Sequence, residues 1–222
     1  MIRSIAGIER SVNLEEVHFS ECTLLEDLSP LQHLRRLRRI DANGSAVRSA
    51  DGLHHCTALE EVHFGDCYQL QDVGFFAGAP SLRLLYLSSS AVSCLDGLHR
   101  CPALSSIFLG SCMNLEDLRG LSGAPQLKCV HADRSAILTV GGLARCPALV
   151  RLSVSGCTRL TSLSSLANAP LLHSLWAEDS AVASIGGLEK CPSLQDLSLA
   201  RCRNLTDVSP LSGMHLTRCV LP

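Results

Sequence analysis

Leu59-Glu60-Glu61-Val62-His63-Phe64-Gly65-Asp66-Cys67-Tyr68-Gln69-Leu70, followed by Leu82-Arg83-Leu84-Leu85-Tyr86-Leu87-Ser88-Ser89-Ser90-Ala91-Val92, decides the fold. The first stretch reads L-x-x-V-x-F-x-x-C-x-x-L and the second L-x-x-L-x-L-x-x-S-A-V. In both, apolar residues alternate with period two, the signature of a short strand that buries one side. Working outward, the opening leucine returns at Leu14, Leu37, Leu59, Leu82, Leu104, Leu127, Leu149, Leu172, Leu194 and Leu216. The steps alternate between 23 and 22 residues until the last. Two unit types therefore alternate as a 45-residue double repeat. The longer carries Cys after its strand, and the shorter carries Ser and closes on G-[LI]-x-x-C, as at Gly97, Leu98 and Cys101.

One such unit cannot bury its own apolar face, but stacked neighbours form a continuous core. Ten parallel strands at about 4.8 Å spacing predict a concave sheet roughly 45 Å long. Apolar residues spaced by three on the return path suit short 3₁₀ or irregular helical segments. The Cys or Ser of the next turn is placed to bond backbone left unpaired where the chain bends away.

These motifs resemble the leucine-rich-repeat superfamily over the whole chain. The Cys-bearing unit, with "LTDVSPLS" at Leu205 to Ser212 and "LEDLSPL" at Leu25 to Leu31, is similar to kinetoplastid leucine-rich-repeat proteins. The 22-residue unit is similar to internalins and to the repeat regulator of protein phosphatase 1. The resemblance implies an α/β repeat solenoid, a horseshoe with about ten parallel concave strands, that binds proteins. It implies no particular ligand.

The expected organisation is a single solenoid over 1–222. Residues 1–13 read as the tail of an incomplete repeat, 14–215 as nine repeats and 216–222 as the start of another. Ile2, Ile5, Gly7, Ile8, Ser11 and Leu14 match Val92, Leu95, Gly97, Leu98, Cys101 and Leu104 in register. We expect a segment of a longer solenoid, or open ends that abut further repeats or a neighbouring chain. The first residues contain no uninterrupted apolar stretch of the secretory kind, and their repeat role displaces a presequence reading.

Nineteen Lys and Arg against 21 Asp and Glu leave a net charge of −2, without the basic excess that a nucleic-acid backbone demands. No run approaches the roughly eighteen apolar residues of a membrane helix. Neither a nucleic acid nor a membrane is expected as partner. No P-loop, G-x-G-x-x-G, H-E-x-x-H or G-x-S-x-G occurs, so we expect no enzyme and no cofactor. Of twelve cysteines, Cys22, Cys67, Cys112, Cys157 and Cys202 share one repeat position, and Cys56, Cys101, Cys146 and Cys191 another. Equivalent positions two strands apart lie about 10 Å from one another, too far for the roughly 7 Å of a disulfide. C-x-x-C is absent, removing the usual zinc spacing. Buried thiols of an intracellular, cytoplasmic protein in a reducing compartment are the expectation; sequons at Asn43 and Asn204 point the other way. His54-His55-Cys56 falls on the return path and reads as surface histidine. His18, His63 and His131 share a strand position but not adjacent strands, so they cannot share a metal.

A partner is expected on the residues between the strand leucines. The fifth position of each unit reads His18, Asp41, His63, Tyr86, Phe108, His131, Ser153, Trp176, Ser198 and Val220, a solvated row that collects the single Trp and one of two Tyr. Large exposed aromatics are enriched at binding hot spots. His63, Tyr86, Phe108 and His131 fall on successive strands across about 15 Å and form the candidate centre. Trp176 is an outlying anchor, and Arg151, Asp133 and Glu178 form a polar rim suited to a protein or peptide. A second reading stays open, in which the rings pack on each other across strands and bind nothing, or cover a hidden end. Arg35, Arg36, Arg38 and Arg39 read as a solvated turn compensated by Glu15 and Glu16. The alternatives to a concave-face scaffold are a structural subunit of a larger assembly and the substrate-recognition part of a ubiquitin ligase. A cell-surface receptor fits the unpaired thiols poorly.

Overall fold

A computed structural model describes residues 2–222. Ten strands of three residues each recur at the repeat spacing: β1 Glu16–His18, β2 Arg39–Asp41, β3 Glu61–His63, β4 Leu84–Tyr86, β5 Ser106–Phe108, β6 Cys129–His131, β7 Arg151–Ser153, β8 Ser174–Trp176, β9 Asp196–Ser198 and β10 Arg218–Val220. They form one parallel sheet in sequence order. The central residue of each strand from β1 to β9 points into the core, Val62 and Leu85 among them, and is buried. Its two neighbours face the opposite side, as the pleat requires. Register is kept without slip, so His63, Tyr86, Phe108 and His131 stand side by side.

The return path is built from 3₁₀ turns, such as Leu53–His55 and Leu98–Arg100, whose first leucine is buried. In the short units a left-handed glycine leads into the turn, as at Gly52 (φ 83°) and Gly97 (φ 91°). In the long units an Asp two residues upstream accepts from the first turn N–H: Asp27 from Ser29 at 2.7 Å, Asp72 from Gly74 at 2.6 Å and Asp117 from Arg119 at 2.9 Å. Single parallel bridges join Asp27 to Ser49, Asp72 to Cys94, Asp117 to Thr139 and Ser162 to Ser184. Each runs from a long unit to the short unit that follows it, so the 45-residue pairing of the sequence has a physical counterpart.

Behind the strands a ladder of alternating Cys and Ser crosses the core. Ser45 Oγ donates to the Ala42 carbonyl at 2.6 Å, and the Cys67 thiol of the next unit donates to the same carbonyl at 3.3 Å. Ser45 Oγ and Cys67 Sγ are 3.6 Å apart. The arrangement returns at Ser135 with Cys157 and at Ser180 with Cys202. The second set of thiols, Cys56, Cys101, Cys146 and Cys191, donates to Leu31, Phe76, Leu121 and Leu166 carbonyls. Buried polar groups left unpaired are costly, and here each small group satisfies a bend carbonyl as the sequence implied. All twelve cysteines are free thiols. The fold is an α/β leucine-rich-repeat-type horseshoe, with the sheet lining one side and short 3₁₀ turns the other.

Candidate functional site

The outward row over β3 to β6 is a continuous stack of four rings. His63 and Tyr86 have centroids 5.9 Å apart with planes at 24°. Tyr86 and Phe108 follow at 5.7 Å and 35°. Phe108 and His131 lie face to face at 4.8 Å and 2°. These separations suit offset aromatic packing, which a strand spacing of about 4.8 Å permits between side chains at the same register position. The rings therefore do pack across strands, and each keeps part of its surface open. Burial lowers the pKa of His131, Asp133 raises it and Arg151 lowers it further.

Trp176 is not part of the stack. Its neighbours in the row are Ser153 on β7 and Ser198 on β9. These serines correct the expectation of a uniformly solvated row, for both are buried. The reason is local: Ser153 Oγ donates to Asp133 Oδ1 at 2.5 Å, and Ser198 Oγ to Glu178 Oε1 at 2.6 Å. Asp133 Oδ1 also accepts from the Ser155 N–H at 2.8 Å. Thus Asp133 and Glu178 each commit an oxygen to the last serine of the strand that follows. Arg151 is exposed, with Nε and Nη2 at 3.2 and 3.1 Å from the Cys129 sulfur.

The arginine cluster departs from its expected compensation. Arg38 bonds Glu60, just before β3, at 2.9 Å and Arg39 lies 3.7 Å from Glu61 on β3, while Glu16 sits 3.6 Å from His18. Parallel pairing aligns Arg39 with Glu61 as closely as with Glu16, and the following strand wins. Arg39 and Glu61, beside the ring stack, were not among the expected site residues; their placement one strand apart at the same repeat position was the available signal. Gly65 was missed as well, although it lies against Tyr86. His54 Nδ1 is 3.3 Å from the Phe75 carbonyl and His55 is exposed, whereas Cys56 is buried. The Asn43 side chain is tied down, its Nδ2 donating to Asp41 and its Oδ1 accepting from Gly65.

Among the described residues, no group of three or more His, Cys, Asp or Glu could hold a metal ion. No helix among them is long and apolar enough to cross a membrane.

No protein-family profile matches the chain, and no curated protein matches its sequence. Solved structures match its shape. An internalin C2 of Listeria monocytogenes shares 18% identity over 96% of this chain and 84% of its own, with a TM-score of 0.71. The leucine-rich repeat domain of the type III effector XopL shares 17% over 98% and 72%, with a TM-score of 0.69. The plant peptide hormone receptor RGFR1, solved in complex with RGF2, shares 16% over 90% and 40%, with a TM-score of 0.54. At these identities the likeness defines the class by fold: a leucine-rich-repeat solenoid.

Proposed function

We propose that the chain is a non-enzymatic interaction scaffold that holds a protein or peptide against its concave face. The observation that carries this is the stack of His63, Tyr86, Phe108 and His131, half-open on the outward side of the sheet. A folded chain gains little from holding four partly exposed rings in a line, whereas a partner that covers them gains apolar burial. Trp176 adds an anchor two strands beyond His131, and Arg151, Asp133 and Glu178 form the rim. A peptide hormone receptor complex on the same kind of solenoid supports the reading by analogy of fold.

The reading places the protein in a reducing compartment of the cell, supported by twelve unpaired thiols, many of them donating to backbone carbonyls. An affiliation with kinetoplastid leucine-rich-repeat proteins is supported by the Cys-bearing repeat motif. The test is affinity purification with Tyr86→Ala, Phe108→Ala and Trp176→Ala combined, after circular dichroism has shown the variant folded. Loss of partners held by the wild type is the expected result. Retention of all of them overturns the concave-face reading and moves the interface to the convex side or the ends.

A further inference from the structure

Where the chain leaves β1, β2 and β3, the bends enclose an open cleft of about 340 Å³. Buried Ala46, from the middle bend, lines it together with Tyr68, Glu21 and Asp66. Tyr68 is 72% exposed, more than any other large apolar side chain among the described residues. The Glu21 carboxylate reaches over the middle bend, for a methyl group on Gly44 would stand 2.6 Å from Glu21 Oε1. The Gly44 N–H in turn donates to the Gly65 carbonyl at 2.9 Å, next to Asp66. The Tyr68 hydroxyl donates to Asp66 Oδ1 at 3.3 Å. Asp66, by its charge and this bond, raises the pKa of that hydroxyl, and the charge of Glu21 adds to the effect. Two carboxylates from bends two strands apart and one aromatic ring therefore converge on a single opening.

Nothing basic lines the cleft. Arg48, the arginine of the middle bend, bonds Gln69, lies 3.6 Å from Glu26 and lines the adjoining cleft instead. The solenoid does not require this composition. At the repeat position of Glu21 and Asp66 stand Ser111, Gly156 and Arg201 further along, and at that of Tyr68 stand Met113, Thr158 and Arg203.

Charge and shape decide the occupant. A carboxylate or phosphate would meet two like charges. An uncharged apolar side chain would cover the Tyr68 ring but desolvate both carboxylates without pairing them. A guanidinium stacks its flat face on a phenol ring while its edge N–H groups donate to carboxylates, whereas an ammonium is compact and more strongly hydrated. We propose that this cleft seats an arginine side chain of a partner protein, its methylene stem against Ala46 and its guanidinium between Tyr68 and the carboxylates of Glu21 and Asp66. The site lies at the strand-exit edge, off the concave face, and does not rest on the concave-face reading.

The probe is N-acetyl-arginine amide, titrated into the full chain at constant ionic strength and read by backbone amide shifts in two-dimensional NMR. Saturable shifts at Gly44, Ala46, Asp66 and Tyr68 are expected. N-acetyl-citrulline amide, an uncharged analogue of the same shape, leaves them unmoved, and N-acetyl-lysine amide binds more weakly. Tyr68→Ala lowers the affinity about threefold, and Glu21→Gln combined with Asp66→Asn lowers it about tenfold. All three residues are exposed, so the fold persists in these variants. Equal binding of the lysine derivative overturns the choice of a guanidinium. Equal shifts with citrulline, an affinity indifferent to these substitutions, or the absence of saturable shifts in the cleft overturns the site itself, and each leaves the concave-face reading untouched.

Discussion

The phenol ring of Tyr86 lies across Gly65, so closely that a methyl group on Gly65 would stand 2.6 Å from Tyr86 Cε1. The same methyl would be 2.9 Å from Asn43 Oδ1, which accepts the Gly65 N–H at 2.7 Å. Gly65 is not a positive-φ residue, so its role is close approach rather than backbone freedom. Gly65→Ala should push Tyr86 off its place between His63 and Phe108 while the repeat register persists. Overpacking of this kind costs about 1–3 kcal/mol. We expect an unchanged far-ultraviolet spectrum, altered aromatic shifts for Tyr86 and Phe108, and weaker concave-face binding. Unperturbed ring shifts would show that the glycine is not what positions the stack.

Core thiols give the fold a pH dependence on the alkaline side. Burial pushes the Cys56 thiol up from its ordinary 9 to about 11. It also raises Cys67, Cys101, Cys112, Cys146, Cys157 and Cys191. In the unfolded chain these thiols ionise near their ordinary value, so above about 9 proton loss favours unfolding. Their contribution is whole below about 9 and declines as pH rises through the raised folded values. For Cys56 alone the loss approaches about 2 kcal/mol by pH 11. Melting curves between pH 8 and 11 should show the decline, and Cys56→Ala should make it shallower. A melting temperature that is flat over that window would refute the role of thiol burial.

Left-handed residues follow the strands at a fixed place in the repeat. Gly44 and Gly156 occupy it in two units, while Ser89 (φ 60°) and Ser111 (φ 58°) hold it with a side chain. The left-handed region costs an L-residue roughly 1–2 kcal/mol, partly offset by the extra freedom glycine has when unfolded. Ser89→Gly and Ser111→Gly should each therefore raise stability by up to about 1 kcal/mol. Urea melts read this directly, and a loss of stability in both would mean that the serine side chains make a contribution the turn geometry does not reveal.

How much of this was legible follows from what each feature depends on. Strand positions, the buried central residue of β1 to β9 and the 3₁₀ turns depend on spacing, and spacing is written in the leucines from Leu14 to Leu216. The Cys and Ser ladder was legible for the same reason, since each group meets a carbonyl set by the repeat. The row of His63, Tyr86, Phe108 and His131 could be placed on adjacent strands, but not whether the rings touch, because that depends on rotamers. Equally hidden was which neighbour an arginine chooses: Arg39 has a glutamate on either side, and the distances alone separate Glu61 from Glu16. Ser153 and Ser198 looked exposed because alternation says only which way a side chain points. Their burial comes from Asp133 and Glu178 on the preceding strand's exit.

Asp133 stands where fold and recognition meet, and two substitutions separate its roles. One oxygen accepts from both the Ser153 hydroxyl and the Ser155 N–H. Asp133→Ala leaves both donors without this acceptor, and the Ser153 side chain is buried, so a loss of about 1–3 kcal/mol is expected. Asp133→Asn keeps an oxygen in place and removes only the charge, so its stability should stay within about 1 kcal/mol of the wild type. If the carboxylate also serves the rim of the concave surface, the Asn variant binds the partner more weakly at unchanged stability. Denaturant melts paired with affinity measurements on both variants distinguish the roles. Equal stability for Asp133→Ala and the wild type would remove Asp133 from the fold, and equal affinity for Asp133→Asn would remove it from the rim.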